Sequence, residues 1–263
     1  MLSDANTAVT VDSLSKSYRL SAGRGQELKA ALLSLPATIF RKRAKATKDF
    51  WALQDISFTL RRGECLGIAG PNGSGKSTLL RVTAGISLPT SGSVVTNGRV
   101  SALLELGAGF HPQMSGRDNA LLNAVLLGLS LDEAREALPS IFEFAELGQF
   151  IEQPMRTYSA GMLVRLGFAV AVHVQPEILL VDEVLAVGDA EFQSKCFNHI
   201  RRLREDGVTI IMASHDLPSI QKFTDRAMLL EHGRIIIEGK PAHVLHEYLT
   251  RVFGKEEAAE VSQ

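Results

Sequence analysis

Cys65-Leu66-Gly67-Ile68-Ala69-Gly70-Pro71-Asn72-Gly73-Ser74-Gly75-Lys76-Ser77-Thr78-Leu79-Leu80 decides how the rest of the chain is read. A short apolar run passes into a glycine-rich turn and then into a helix start. Gly70 and Gly75 bracket four residues and Lys76-Ser77 follow at once, the spacing of a phosphate-binding loop. Glycines let backbone N–H groups converge on an anion with no Cβ in the way. The helix that follows aims its N-terminal amides and the positive end of its dipole at the phosphates. On this reading Gly70, Pro71, Asn72, Gly73, Ser74, Gly75, Lys76, Ser77 and Thr78 bind a nucleotide. Lys76 reaches the β- and γ-phosphates and the Ser77 hydroxyl reaches Mg²⁺.

The totals bound what surrounds this loop. A chain of 263 residues holds one large or two small domains, and 45% apolar with 22% charged residues is ordinary for a protein with a sizeable core. A net charge of −1 gives no global case for nucleic-acid binding. Cys65 and Cys196 are far apart and have no metal-ligand spacing, which reads as reduced thiols in a cytosolic protein. The start, Met1-Leu2-Ser3-Asp4, lacks the basic and apolar regions of a signal peptide. Apolar stretches such as residues 120–131, interrupted by Asn123, are too short to cross a membrane, so work at a membrane requires a partner that spans it.

Along the chain, residues 9–14 alternate as a half-buried strand, followed by Tyr18. In residues 21–49, Leu28, Leu32, Leu35 and Ile39 fall at helical spacing and Pro36 predicts a kink. Arg41-Lys42-Arg43, Lys45 and Lys48 then give a basic end. Such a stretch reads as membrane-surface or partner-binding; a solvated surface helix is the alternative. Residues 51–60 resume alternation, and the turn Arg61-Arg62-Gly63-Glu64 predicts an antiparallel element ahead of the loop strand. Residues 93–95 and 99–104 read as short strands joined by a hairpin turn at Asn97-Gly98. A loop at residues 106–112 precedes a helical region. There Ser130 and Glu133 have capping-box spacing, and residues 141–146 form a further helical run. A helix is expected from about Leu163 to Val174, strands at residues 178–181 and 208–213, a terminal hairpin about Glu231-His232-Gly233, and a last helix over residues 241–248.

Polar residues collect where apolar strands end, and in open α/β sheets ligands lie outside the carboxyl ends of the strands. Ile178-Leu179-Leu180-Val181 ends in Asp182-Glu183. Asp182 fits the acid that organises Mg²⁺ in ATPases with a phosphate-binding loop, and Glu183 fits a general base for the attacking water. His215, after another buried strand, fits a contact to the γ-phosphate or a support for the water and Glu183. Tyr158-Ser159-Ala160-Gly161-Met162 places a serine, a small residue and a glycine before a helix start, a second phosphate cradle. Since the chain already has one cradle, Ser159, Ala160 and Gly161 are read as serving the nucleotide of another subunit, which predicts a head-to-tail dimer.

Taken together, residues 70–78, 158–162, 178–183, Gly188-Asp189 and His215 resemble the ATP-binding subunit of an ABC transporter, over about residues 9–248. In that family they correspond to the Walker A loop, signature, Walker B with catalytic glutamate, D-loop and switch histidine. The resemblance implies an α/β fold: a P-loop NTPase core with an antiparallel β subdomain and an inserted α-helical subdomain. It divides a single domain over residues 1–263 into a nucleotide-binding core (1–106 and 163–248), a basic amphipathic insertion (21–49), a helical subdomain with the signature (107–162) and a tail (249–263). It also implies that Tyr18 stacks on the purine base; a core or edge aromatic is the other reading. Leu104-Glu105-Leu106-Gly107-Ala108-Gly109-Phe110-His111-Pro112, Thr157 to Met162 and the stretch Asp182 to Asp189 are similar to the ATPases of polysaccharide exporters, which move O antigen, capsule or teichoic acid precursors. The expected assembly is a homodimer with ATP and Mg²⁺, bound to two transmembrane permease subunits on the cytoplasmic face of the membrane, acting on a lipid-linked polysaccharide and not on nucleic acid. Export of another lipid or polyol-phosphate, or non-transport work in DNA repair or translation, is the alternative.

Three departures from the family pattern stand out. The signature is Tyr-Ser-Ala-Gly-Met in place of Leu-Ser-Gly-Gly-Gln. The usual loop glutamine is missing: its place falls at Leu106, with Glu105 next to it as a candidate Mg²⁺ or water ligand. No large carbohydrate-binding domain follows Tyr248, so recognition of a polymer end cap is expected to come from elsewhere.

Overall fold

The computed structural model describes residues 6–20, 48–104, 106–107, 109–182, 189–214 and 217–253. Strands β1 (Thr7–Leu20), β2 (Lys48–Arg61) and β4 (Ser91–Thr96) form an antiparallel sheet in the order β2-β1-β4. The larger sheet runs β5 (Val100–Leu103), β6 (Ile178–Val181), β7 (Thr209–Ala213), β3 (Cys65–Ala69), β8 (Arg226–Glu231), β9 (Arg234–Gly239). Its members are parallel except β9, which closes the expected terminal hairpin with β8.

Every residue of β3, β6 and β7 is buried, the mark of parallel strands covered on both faces. Successive side chains serve opposite cores, as the two-residue repeat of a strand requires. Leu179, Val181, Ile210 and Met212 enter a core shared with the helical region, whereas Ile178, Leu180, Ile211 and Ala213 enter one shared with β1 and β2. The sheet is therefore the common wall between the antiparallel sheet and the helices.

The hairpin expected at Asn97-Gly98 does not form. β4 pairs with β1 and β5 pairs with β6, so the chain changes sheets there. The Asn97 Nδ2 donates to Thr7 O at 2.9 Å, its backbone N–H donates to Ala8 O at 2.8 Å, and its carbonyl accepts from Arg62 Nη2 at 2.8 Å. These bonds fasten the corner to the N-terminal strand, and a tight reverse turn would forfeit them.

The helices are α1 (Lys76–Thr83), α2 (Gly116–Leu126), α3 (Leu131–Ala145), α4 (Ala160–His173), α5 (Ala190–Glu205), α6 (Leu217–Phe223) and α7 (Pro241–Phe253). The Ser130–Glu133 capping box at the start of α3 is present in both directions. Residues 141–146 are not a separate run: Ile141 to Ala145 continue α3 past Pro139. That proline lies on the exposed face, where water can take up the freed Arg135 carbonyl, while Ala134, Leu138, Ile141, Phe144 and Ala145 stay buried on the other. Helix α4 begins at Ala160 and crosses the expected 162/163 division, and α7 runs past Tyr248 to Phe253. The basic insertion up to Thr47 lies outside the described residues, and Lys48 and Asp49 belong to β2. Among the described residues no helix is long and apolar enough to cross a membrane.

At the end of α3, the Phe144 ring meets Phe168 at 5.7 Å, Phe192 at 5.9 Å, His173 at 5.3 Å and His199 at 5.2 Å. The imidazoles are 5.0 Å apart. Burial pushes both below the ordinary histidine value of 6.5; nearby Lys195 adds to the effect at His173, and His173 adds to it at His199. A depressed histidine is neutral in the folded state and gains a proton on unfolding, so its contribution is complete above about 6.5 and lost as pH falls below it. The melting temperature should fall as pH drops below that value, and His199→Gln should flatten the slope; an unchanged slope would refute the assignment.

Candidate functional site

Strand β3 delivers its last residue, Ala69, into a loop wedged between neighbouring strands. Gly70 has φ +148°, and a Cβ there would lie 2.2 Å from Leu230 O on β8. Gly75 has φ +112°, and a Cβ there would meet Ala52 O on β2 at 2.6 Å. Each position is closed to larger residues by conformation and by space. Gly73, at φ +79°, faces open space. Gly75 begins α1 with no side-chain cap and no acid in the first turn, leaving its first amides turned outward without a competing carboxylate. Ser77, in that first turn, is exposed, while Ser74 Oγ is buried and has no hydrogen-bond partner. An orphaned hydroxyl beside open glycine backbone and uncapped amides fits an anion as the missing partner.

Lys76 is 6% exposed, and its ammonium donates to Gly70 O at 2.7 Å and Pro71 O at 3.1 Å. Burial lowers its pKa below the ordinary lysine value, and the charge of Asp182 pulls the other way. That coupling places the Asp182 carboxylate in electrostatic reach of the loop lysine. The topology explains it. β3, β6 and β7 are parallel, so all three end at one edge of the sheet, with β7 between the other two. Asp182 follows β6 and the phosphate-binding loop follows β3.

Glu183, His215 and Glu105 lie outside the described residues. Tyr18 is 39% exposed near the end of β1, opposite Phe50, with Lys16 Nζ 5.1 Å from its ring centroid. It is a surface ring, which removes the core-aromatic reading.

The stretch read as a second cradle is a helix N-cap. Ser159 precedes α4, and its Oγ accepts from the Met162 N–H at 3.2 Å. Ser159 and Ala160 are exposed, Gly161 is half-buried, and the first turn carries no acid. Tyr158 points the other way: its hydroxyl donates to Phe150 O at 2.6 Å and lies against Gly116, where a Cβ would come 2.0 Å from the Tyr158 hydroxyl oxygen. The Leu-to-Tyr departure in the signature is thus an anchor beneath the cradle. Tyr158→Phe should cost about 0.5–1.5 kcal/mol by removing one of the two hydrogen bonds to the Phe150 carbonyl, which keeps the Gln153 N–H as a donor at 2.9 Å. It should lower the melting temperature while nucleotide affinity stays within about twofold; an unchanged melt would refute the anchor.

Sequence reading passed over Asn119. It is fully buried; its Oδ1 accepts from the His111 N–H at 2.6 Å, and its Nδ2 donates to His111 O, Met114 O and Ser115 O at 2.9–3.2 Å. It clamps the turn that joins β5 to the helical region. The only signal was an amide among the apolar positions of α2, which burial alone makes informative.

The ABC transporter family model matches residues 53–186, from β2 through the loop to the segment after Asp182. The chain belongs to the ABC transporter ATP-binding family. Family relatives include the O-antigen export system ATP-binding protein RfbB of Klebsiella pneumoniae, 47% identical over 201 residues, covering 76% of this chain and 82% of that protein. RfbB of Myxococcus xanthus is 42% identical over 241 residues (92% of this chain, 55% of that protein). The teichoic acids export ATP-binding protein TagH of Lactococcus lactis is 39% identical over 240 residues, covering 91% of this chain and 50% of that protein. The chain thus spans about half the length of these last two relatives. Among solved structures, an ATP-binding subunit of an ABC transporter superposes with TM-score 0.71 at 19% identity, covering 97% of this chain and 99% of that one. A dimeric ATP-binding cassette with ADP and Pi superposes with TM-score 0.69 at 22% identity, covering 89% and 98%. The fold is the α/β cassette expected of the family.

Proposed function

We propose that this chain is the ATP-hydrolysing subunit of an ABC exporter that moves a polysaccharide or lipid-linked glycan across the cytoplasmic membrane. The observation that carries the ATPase is Lys76, held buried on the loop carbonyls within the field of Asp182, beside the unpartnered Ser74 hydroxyl. ATP would lay its phosphates in the cradle of residues 70–78, exchanging the Lys76 contacts with loop carbonyls for phosphate oxygens, with its base on the exposed Tyr18 ring. Mg²⁺, held by Ser77 and Asp182 with Glu105 as a further oxygen donor, supplies charge neutralisation at the phosphates. Glu183 polarises the attacking water and His215 steadies it. The Ser159–Gly161 cradle serves the nucleotide of a second copy, which makes the working unit a homodimer with two composite sites. The division into core (1–106, 163–248), basic insertion (21–49), helical subdomain (107–162) and tail (249–263) belongs to the same proposal, with α4 spanning the 162/163 boundary.

The names of the relatives, O-antigen export and teichoic acids export, support the substrate class. Permease subunits would provide the membrane path, and the chain would sit peripherally on their cytoplasmic side. The test is purification of the full chain from detergent-solubilised membranes of its native host, with a deletion strain in parallel. Recovery of a multi-spanning partner, with surface glycan lost and its precursor retained inside the deletion strain, is expected. Recovery with ribosomes or nucleic acid, or normal surface glycan after deletion, would overturn the reading.

A further inference from the structure

Two histidines from different helices meet where α3, α4 and α5 pack together. His173 closes α4, His199 lies inside α5, and their ring centroids are 5.0 Å apart with planes inclined at 35°. Each ring is tied at one nitrogen. The His173 Nδ1 lies 2.7 Å from Ala169 O, one turn back, and the Val172 carbonyl accepts a hydrogen bond from the His199 ring. A carbonyl only accepts, so in each neutral ring the bonded nitrogen carries the proton and the other keeps its lone pair. The His199 Nε2 is shut away from water and has no hydrogen-bond partner among the described residues. Both rings line a cavity of about 820 Å³ between the three helices, which Ser140, Glu143 and Asn198 also line. The Phe144 ring meets both imidazoles edge to face and holds them from the α3 side.

We propose that His173 and His199 form a two-imidazole site for a divalent transition-metal cation such as Ni²⁺, Cu²⁺ or Zn²⁺, which ties α4 to α5. Two imidazoles bound at about 2.05 Å to one ion, at angles of about 90–110°, have ring centroids about 4.5–5.3 Å apart. The observed separation falls inside that range. A ligating histidine ordinarily donates its second ring nitrogen to a carbonyl or carboxylate, which fixes the tautomer and the ring orientation. The Ala169 and Val172 carbonyls do this here. Burial keeps both rings neutral near pH 7, the form that binds metal. An ion also gives the orphaned His199 nitrogen a partner, where otherwise its desolvation goes uncompensated. Imidazole suits d-block ions, whereas Mg²⁺ takes oxygen ligands, so the site does not compete for the ion that accompanies ATP. Among the described residues no three His, Cys, Asp or Glu side chains stand at metal-ligand spacing, so the protein supplies two ligands and water from the cavity completes the shell.

The experiment uses the full chain, untagged and without nucleotide, so that its result stands apart from the ATP-site reading. Calorimetric titration with Ni²⁺ should show binding, and excess Mg²⁺ should leave the affinity within about twofold. At free Ni²⁺ about 100 times the dissociation constant, the melting temperature should rise by about 5–10 °C. His173→Gln and His199→Gln should each weaken binding at least about tenfold, no less than the loss of a group that merely orients a ligand. With Cu²⁺, the electron paramagnetic resonance spectrum of the wild type should show coupling to two imidazole nitrogens, falling to one in either variant. A second histidine pair, His243 and His246, is exposed one turn apart on α7. The double variant His243→Gln/His246→Gln should therefore keep the binding. The wild-type spectrum and the α7 control do not depend on how the single variants fold. Absence of binding to the wild type, binding lost in the α7 variant, or undiminished binding in both single variants would overturn the site.

Discussion

Replacing Lys76 by alanine should weaken ATP binding by at least about 100-fold and leave no measurable hydrolysis. The side chain is buried among carbonyl oxygens, so its ammonium is already stripped of most water. Much of the desolvation cost that normally offsets an ion pair has therefore been met before nucleotide arrives. Removing one partner of a desolvated, hydrogen-bonded charge pair costs about 2–5 kcal/mol, and a 100-fold loss in affinity, about 2.7 kcal/mol, lies inside that range. The same truncation takes the Lys76 ammonium from Gly70 O and leaves Pro71 O with the Ser74 N–H alone, so a melting curve belongs beside the titration. A melt within a few degrees of wild type with binding abolished is the expected pair of results. Binding retained within threefold would show that the phosphates lie elsewhere.

Replacing Glu183 by glutamine should separate binding from turnover. The substitution keeps size and removes only the proton acceptor, and a positioned general base contributes about 10²- to 10⁴-fold to a rate. ATP affinity should stay within about threefold, while turnover falls by at least about 100-fold. The variant should accumulate as an ATP-bound dimer in size-exclusion chromatography, because hydrolysis is what would reopen it. Near-normal turnover would remove Glu183 from the base role. Together the substitutions would divide the proposed site along a physical line: Lys76 would act on charge already present in the ground state, whereas Glu183 would act on a proton that moves only as water attacks.

Much of this was legible because the motifs are local. The spacing of Gly70, Gly75 and Lys76-Ser77 needs no distant partner to be recognised, since a strand, a left-handed turn and a helix start are encoded within a dozen residues. The apolar blocks that became β3, β6 and β7 announced buried strands, and the Ser130–Glu133 cap was readable as a local hydrogen-bond pattern. What failed was non-local. Asn97-Gly98 is a favourable turn dipeptide, yet its polar groups are claimed by Thr7, Ala8 and Arg62, far away in sequence. Residues 141–146 read as a further helical run, but the buried stripe of α3 carries the helix through Pro139 and outweighs one solvent-facing hydrogen bond. Asn119 looked like any amide on an amphipathic helix until burial made each of its hydrogen bonds obligatory.

The sequence alone therefore determined the strand–glycine turn–helix element of residues 65–80, the buried strand that ends at Asp182 and the helix start after Ser159, because each is a short-range consequence of residue type and spacing. Only the tertiary structure decided that Asp182 bears on Lys76, that Tyr158 is an anchor and Tyr18 a surface ring, and that His173 packs against His199. Those relations depend on which strands are neighbours and which side chains are shut away from water, and only the packing of the whole chain around the central sheet settles either.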